Sequence, residues 1–111
     1  MTTRTVQLGE VMTVDRRAAS EVECRSLPYV GLDDIEKDMG TFTAGFRRKP
    51  EALLATKFRF TSQHVLYGKL RPYLNKVALP DFDGVCTTEI FPLLPKPNVL
   101  DRGYLFAVLL S

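Results

Sequence analysis

The stretch Lys57-Phe58-Arg59-Phe60-Thr61 most constrains what this chain can become. Cationic or hydroxyl side chains alternate with phenylalanines at a period of two, the pattern of a half-buried β-strand and not of a helix. Lys57, Arg59 and Thr61 share one face, predicted to be a solvated basic one, and Phe58 and Phe60 share the other. A second strand is predicted over 65–70, stopped by Arg71-Pro72 because proline has no N–H for a ladder, and a third over 73–79. Pro80-Asp81-Phe82-Asp83-Gly84 then reads as a hairpin turn, with Gly84 supplying a positive φ, before a strand over 85–94 that ends at Pro95 and Pro97.

The remaining segments are shorter or less regular. A short strand or turn is expected within 5–14, a loop over 15–21, and one helical turn after Gly31, capped by Asp33 or Asp34. Residues 38–50, with Gly40, Gly45 and the triplet Arg47-Arg48-Lys49, read as a long exposed loop. Pro50 to Leu54 suits a short helix, since proline is tolerated at the first helical position. Asp101 to Leu110 reads as the capped start of a helix apolar on nearly all sides, and such a helix must be covered. The fold class expected is α+β: a small, mixed, mostly antiparallel β-rich domain with short helices and a C-terminal helix start.

At 111 residues, with 45% hydrophobic and 25% charged residues and fourteen Gly plus Pro, the chain has the size and composition of a single folded domain over 1–111. The net charge of +2 decides little. Clustering says more, because Arg47, Arg48, Lys49, Lys57, Arg59, Lys69, Arg71 and Lys76 are eight of the fifteen cations. Cys24 and Cys86 are isolated, with no metal or redox spacing and no signal peptide before them, so a reduced cytoplasmic setting is expected. No apolar run reaches the roughly 20 residues of a membrane helix.

Signals for chemistry are sparse. His64 has no Ser, Cys or acid at a spacing that proposes a triad, and no phosphate loop or zinc spacing is present. Asp81 and Glu89 echo the paired carboxylates of magnesium nucleases, but Phe91 stands where that chemistry needs a lysine, and a turn explains the acids. The stretch Tyr67 to Lys76 interleaves Lys69, Arg71 and Lys76 with Tyr67 and Tyr73. Cations hold phosphates and rings stack on bases, so this suits a nucleic acid, and it equally suits a plain solvated strand.

Three blocks carry a resemblance: Val65-Leu66-Tyr67-Gly68-Lys69-Leu70-Arg71-Pro72-Tyr73-Leu74-Asn75-Lys76-Val77, then Pro80-Asp81-Phe82-Asp83-Gly84-Val85-Cys86-Thr87-Thr88-Glu89, then Leu94-Pro95-Lys96-Pro97. In their order and spacing they resemble the target recognition domain of the specificity subunit of Type I restriction-modification enzymes. Leu8 to Val11 and Tyr29 to Glu36 add two weaker matches, and Gln63-His64 stand where that family often carries Gly-Asp. The resemblance implies non-catalytic, sequence-specific binding of double-stranded DNA, with methyltransferase and restriction subunits as partners. It implies no cofactor on this chain, since S-adenosylmethionine and ATP belong to those subunits. It also implies a recognition domain ending where a helical spacer would begin. Lys69, Arg71 and Lys76 are expected to position phosphates and Arg47, Arg48 and Lys49 to contact bases or grooves, with Lys57, Arg59 and Tyr73 also expected among the DNA-binding residues. The alternative is a protein-interaction module docking through the apolar segment Tyr104 to Leu110.

Overall fold

The computed structural model describes residues 12–51, 56–68, 75–96 and 100–110. Among these residues seven strands and two α-helices follow in the order β1 (Met12–Val14), α1 (Glu21–Ser26), β2 (Tyr29–Val30), β3 (Lys57–Phe60), β4 (Val65–Gly68), β5 (Val77–Ala78), β6 (Gly84–Thr87), β7 (Ile90–Pro95) and α2 (Arg102–Leu110), with a 3-10 turn at Leu32–Asp34. The α+β class expected from the sequence is the one observed.

The strands form two sheets. In the first, β1-β7-β4-β5, every pairing is antiparallel. In the second, β2-β6-β3, β6 runs parallel to β2 and antiparallel to β3. Successive residues on one strand feed different cores, because side chains alternate across a pleat. Leu66, Ala78 and Ile90 of the first sheet join Val30, Phe60 and Cys86 of the second in one buried cluster. Their neighbours Val65, Val77 and Leu93 join Leu105 of α2 in another. The first sheet is thus covered on both faces, which is why β4, β5 and β7 read as near-continuous apolar runs instead of alternating.

Several expectations need correction. Pro80 to Gly84 does not close a hairpin: β5 pairs with β4 in one sheet, while β6 pairs with β2 and β3 in the other, so this turn carries the chain between sheets. Gly84 does not adopt a positive φ. Its requirement is space, since a Cβ there would lie 2.7 Å from both the Phe60 ring and the Pro28 carbonyl oxygen. The strand expected over 85–94 is two strands, parted by a turn at Thr88-Glu89. Of the strand predicted over 73–79, the described part, 75–79, is regular only at Val77–Ala78, and the helix expected after Pro50 falls largely outside the described residues.

Helix α1 went unpredicted, although its signal is present. Ser20 accepts from the Glu23 N–H at 3.1 Å, and Glu23 reaches back to the Ser20 N–H at 2.9 Å, the reciprocal capping box that Ser-x-x-Glu encodes. Asp34 caps the 3-10 turn by accepting from the Gly31 N–H at 2.7 Å. At α2 the Asp101 carboxylate accepts from the Tyr104 N–H at 3.0 Å. That helix buries Leu105 and leaves Tyr104 and Val108 exposed, 61% and 47%.

Candidate nucleic-acid interface

The long loop expected over 38–50 is present, and phenylalanines hold it. Phe42 and Phe46 stack at 4.7 Å between centroids, both lie against Phe82, and Phe82 meets the buried Phe60 edge-on at 5.6 Å. Rings at these separations favour each other beyond the area they bury. Backbone bonds fix the two ends: Thr43 N–H donates to Asp34 O at 2.9 Å, and Tyr29 N–H of β2 donates to Lys49 O at 3.0 Å. At its start Gly40 has φ +70°, and a Cβ would lie 2.5 Å from the Phe106 ring of α2. Only glycine meets both conditions.

On this support stand Arg47, Arg48 and Lys49, all exposed. They do not point alike. Arg48 pairs with Asp81 and lies 4.5 Å over the Phe82 ring, a cation–π contact that fixes it on one side of the loop. Arg47 and Lys49 line a cleft of about 570 Å³ on the other, together with Tyr29, Phe46, Asp34 and Glu51. Partial burial, and then the Glu51 carboxylate close by, push the Tyr29 phenol above its ordinary range.

Elsewhere the described cations singled out from the sequence, Lys57, Arg59 and Lys76, are turned inward, and the predicted basic face of β3 is corrected. Lys57 is 1% exposed, with its ammonium 5.7 Å from the Tyr29 ring centroid. Arg59 is 13% exposed and donates to Glu23 at 2.8 Å and to the carbonyls of Phe60 and Gly84. The reason is that β3 is not left open. Residues 17–19 run along it, with Ala19 N–H donating to Lys57 O at 2.8 Å and Arg59 N–H to Arg17 O at 2.9 Å, and the capped α1 brings Glu23 over Arg59. Lys76, 14% exposed, donates to Leu32 O at 2.9 Å. Lys69, Arg71 and Tyr73 lie outside the described residues.

The structure also settles His64. It is 3% exposed, its Nδ1 accepts from the Thr61 N–H at 3.0 Å, and its Nε2 therefore carries the proton donated to Asp15 at 2.9 Å. Burial opposes the Asp15 charge, but hydrogen bonds from His64 and the Arg17 N–H outweigh it and hold that carboxyl below its usual range. Arg102 Nε donates to His64 O at 3.0 Å, tying α2 to the β3–β4 turn. The tight turn itself forms with Gln63-His64 in place, closed by His64 N–H to Thr61 O at 3.2 Å. Cys24 and Cys86 are free thiols, and burial pushes Cys86 up to about 12. Among the described residues no group of three or more His, Cys, Asp or Glu is placed to hold a metal ion, and no helix is long and apolar enough to cross a membrane.

Sequence comparison sets this surface beside a known protein. Over 106 residues the chain is 33% identical to the specificity subunit of the Type I restriction enzyme EcoDI from Escherichia coli. The chain is similar to a Type I specificity subunit along nearly its whole length. The alignment covers 96% of this chain and 23% of that subunit, so the chain spans under a quarter of the relative's length. No family model matches. The resemblance to a Type I specificity subunit carried by the three sequence blocks is thus supported by overall identity as well. Sequence reasoning had singled out Arg47, Arg48 and Lys49 but not Tyr29, Asp34, Phe46 or Glu51. These four are distant in sequence from one another or chemically ordinary, and only the fold gathers them.

Proposed function

We propose that this chain is a non-catalytic recognition domain that binds double-stranded DNA sequence-specifically within a Type I restriction-modification specificity subunit. The observation that carries this is the identity to such a subunit across 96% of the chain. The loop geometry supports it: exposed cations are offered from an irregular segment on a rigid aromatic platform, and recognition residues commonly sit on such loops. Arg47 and Lys49 are the cations we assign to phosphates and base edges, with Arg48 contributing from its seat on Phe82. Lys69, Arg71 and Tyr73 remain proposed phosphate and stacking contacts. Lys57, Arg59 and Lys76 serve the fold. We assign methyltransferase and restriction subunits as partners of the whole assembly, and the cytoplasm, where such an assembly meets DNA, as its location.

The test is fluorescence anisotropy of a labelled random duplex titrated at about 50 and 200 mM salt, a range over which several phosphate contacts change affinity by orders of magnitude. Salt-sensitive binding is expected, followed by recovery of a preferred site from a random pool. Absence of binding at the lower salt sinks the reading for this chain.

A further inference from the structure

The cleft beside the cationic loop has a chemistry the loop as a whole does not. Its lining sets Arg47 and Lys49 against Asp34 and Glu51, so its formal charges cancel, and it is walled by the rings of Tyr29 and Phe46. A phosphate gains little from a site where two carboxylates offset two cations. A flat, neutral group with both donors and acceptors on its edge gains from every feature: rings to stack on, carboxylates to accept from an amino group, and cations to donate to ring nitrogens or carbonyl oxygens. Shape narrows the guest further. Base edges in an intact duplex lie at the floor of a groove and are read by protruding elements, whereas a concave site takes a protruding guest. A volume of about 570 Å³ lies within the roughly 300–1,000 Å³ range of small-ligand sites.

We propose that this cleft receives a single nucleobase swung out of the DNA stack, one bearing an exocyclic amino group, cytosine or adenine. The Glu51 carboxylate accepts from that amino group. Asp34 is already committed through Oδ2 to the Gly31 N–H and acts chiefly as the floor of the site. Arg48, paired with Asp81 and seated on Phe82, does not line the cleft. The assignment rests on the DNA-binding reading above and adds a ligand to it.

The experiment needs no knowledge of the recognised sequence. Anisotropy titrations of the full chain compare three labelled duplexes alike except for one position: fully paired, with a single bulged cytosine, and with a single bulged thymine, which lacks the amino group. A bulged base is already unpaired, so the cost of extruding it is largely removed, and the bulged-cytosine duplex is expected to bind about tenfold or more tighter than the paired one. It is also expected to exceed bulged thymine by about fivefold or more. Glu51 is exposed, so Glu51→Ala, which removes the acceptor, is expected to leave the fold in place and to abolish the cytosine-over-thymine difference. Equal affinity for all three duplexes, or a cytosine preference that survives in Glu51→Ala, overturns the assignment while leaving duplex binding intact. Failure to bind even the paired duplex overturns the DNA-binding reading and this assignment with it.

Discussion

Two sets of cations, only eight residues apart in the chain, meet opposite fates. Arg47 and Lys49 stand in solvent on a loop without regular structure, and Lys57 and Arg59 disappear into the fold from a regular strand. By sequence the strand cations were expected on a solvated basic face, because alternation with Phe58 and Phe60 advertises a polar side. The difference is made by what lies alongside. The strand has neighbours on both edges, β6 on one and residues 17–19 on the other, and α1 closes over Arg59. The loop is held from beneath by rings, which leaves its upper side uncovered. A charge is available to a partner only where the rest of the chain has no use for it.

The sharpest way to break this contrast is to remove the support the two regions share. Phe60 is fully buried on β3, and its ring meets Phe82, against which Phe42 and Phe46 of the loop pack. Phe60→Ala is expected to cost about 3–5 kcal/mol by lost transfer energy and the cavity left behind, read as a fall in the urea midpoint. Loop and sheet should lose protection against amide exchange together. A loop that keeps its protection while β3 loses its own would show that the platform is not shared.

A smaller effect tests the strand cation itself. Arg59→Ala leaves the Phe60 and Gly84 carbonyls without their donor and Glu23 without its partner. Hydrogen bonds from a charged donor suggest a loss of about 2 kcal/mol in stability. DNA binding by the fraction that remains folded should keep its salt dependence. A shallower salt slope in folded Arg59→Ala would return this residue to the interface.

These contrasts also mark how far the sequence could be read. The two-residue period over 57–61 correctly announced a strand, and strands were also expected over 65–70, where β4 takes up 65–68, and over 85–94, which β6 and β7 share. Which face of β3 would be solvated was not legible, because that depends on residues 17–19 and on a helix nearly forty residues away. The Ser20-to-Glu23 capping box, by contrast, was fully local and simply went unread, and with it the element that neutralises Arg59. Pro80 to Gly84 shows the third kind of limit. Its turn chemistry was recognised, but a turn within a hairpin and a turn between sheets share the same local residues, and only the pairing of β5 with β4 and of β6 with β2 and β3 separates them. The loop was legible as a loop with exposed cations; the cleft was not, since it forms where Tyr29 and Asp34 meet residues 45–51.

The smallest expected effect on stability is the one that bears most on function. Arg47→Ala and Lys49→Ala remove exposed side chains that form no ion pair among the described residues, so each should change stability by less than about 0.5 kcal/mol. Where the deleted cation held a phosphate, the slope of log affinity against log salt should nonetheless fall by about one unit. A residue reading a base edge instead should weaken binding to the preferred site without changing that slope as much. The pair of variants therefore sorts the two loop cations by role, and it does so against Arg59→Ala as the inverse control: one class of substitution alters binding without stability, the other stability without binding. If Arg47→Ala and Lys49→Ala shift neither affinity nor slope in the intact fold, the exposed triplet is an ordinary solvated loop. The division between cations kept for the fold and cations left for a partner would then have to be redrawn around residues 69–76.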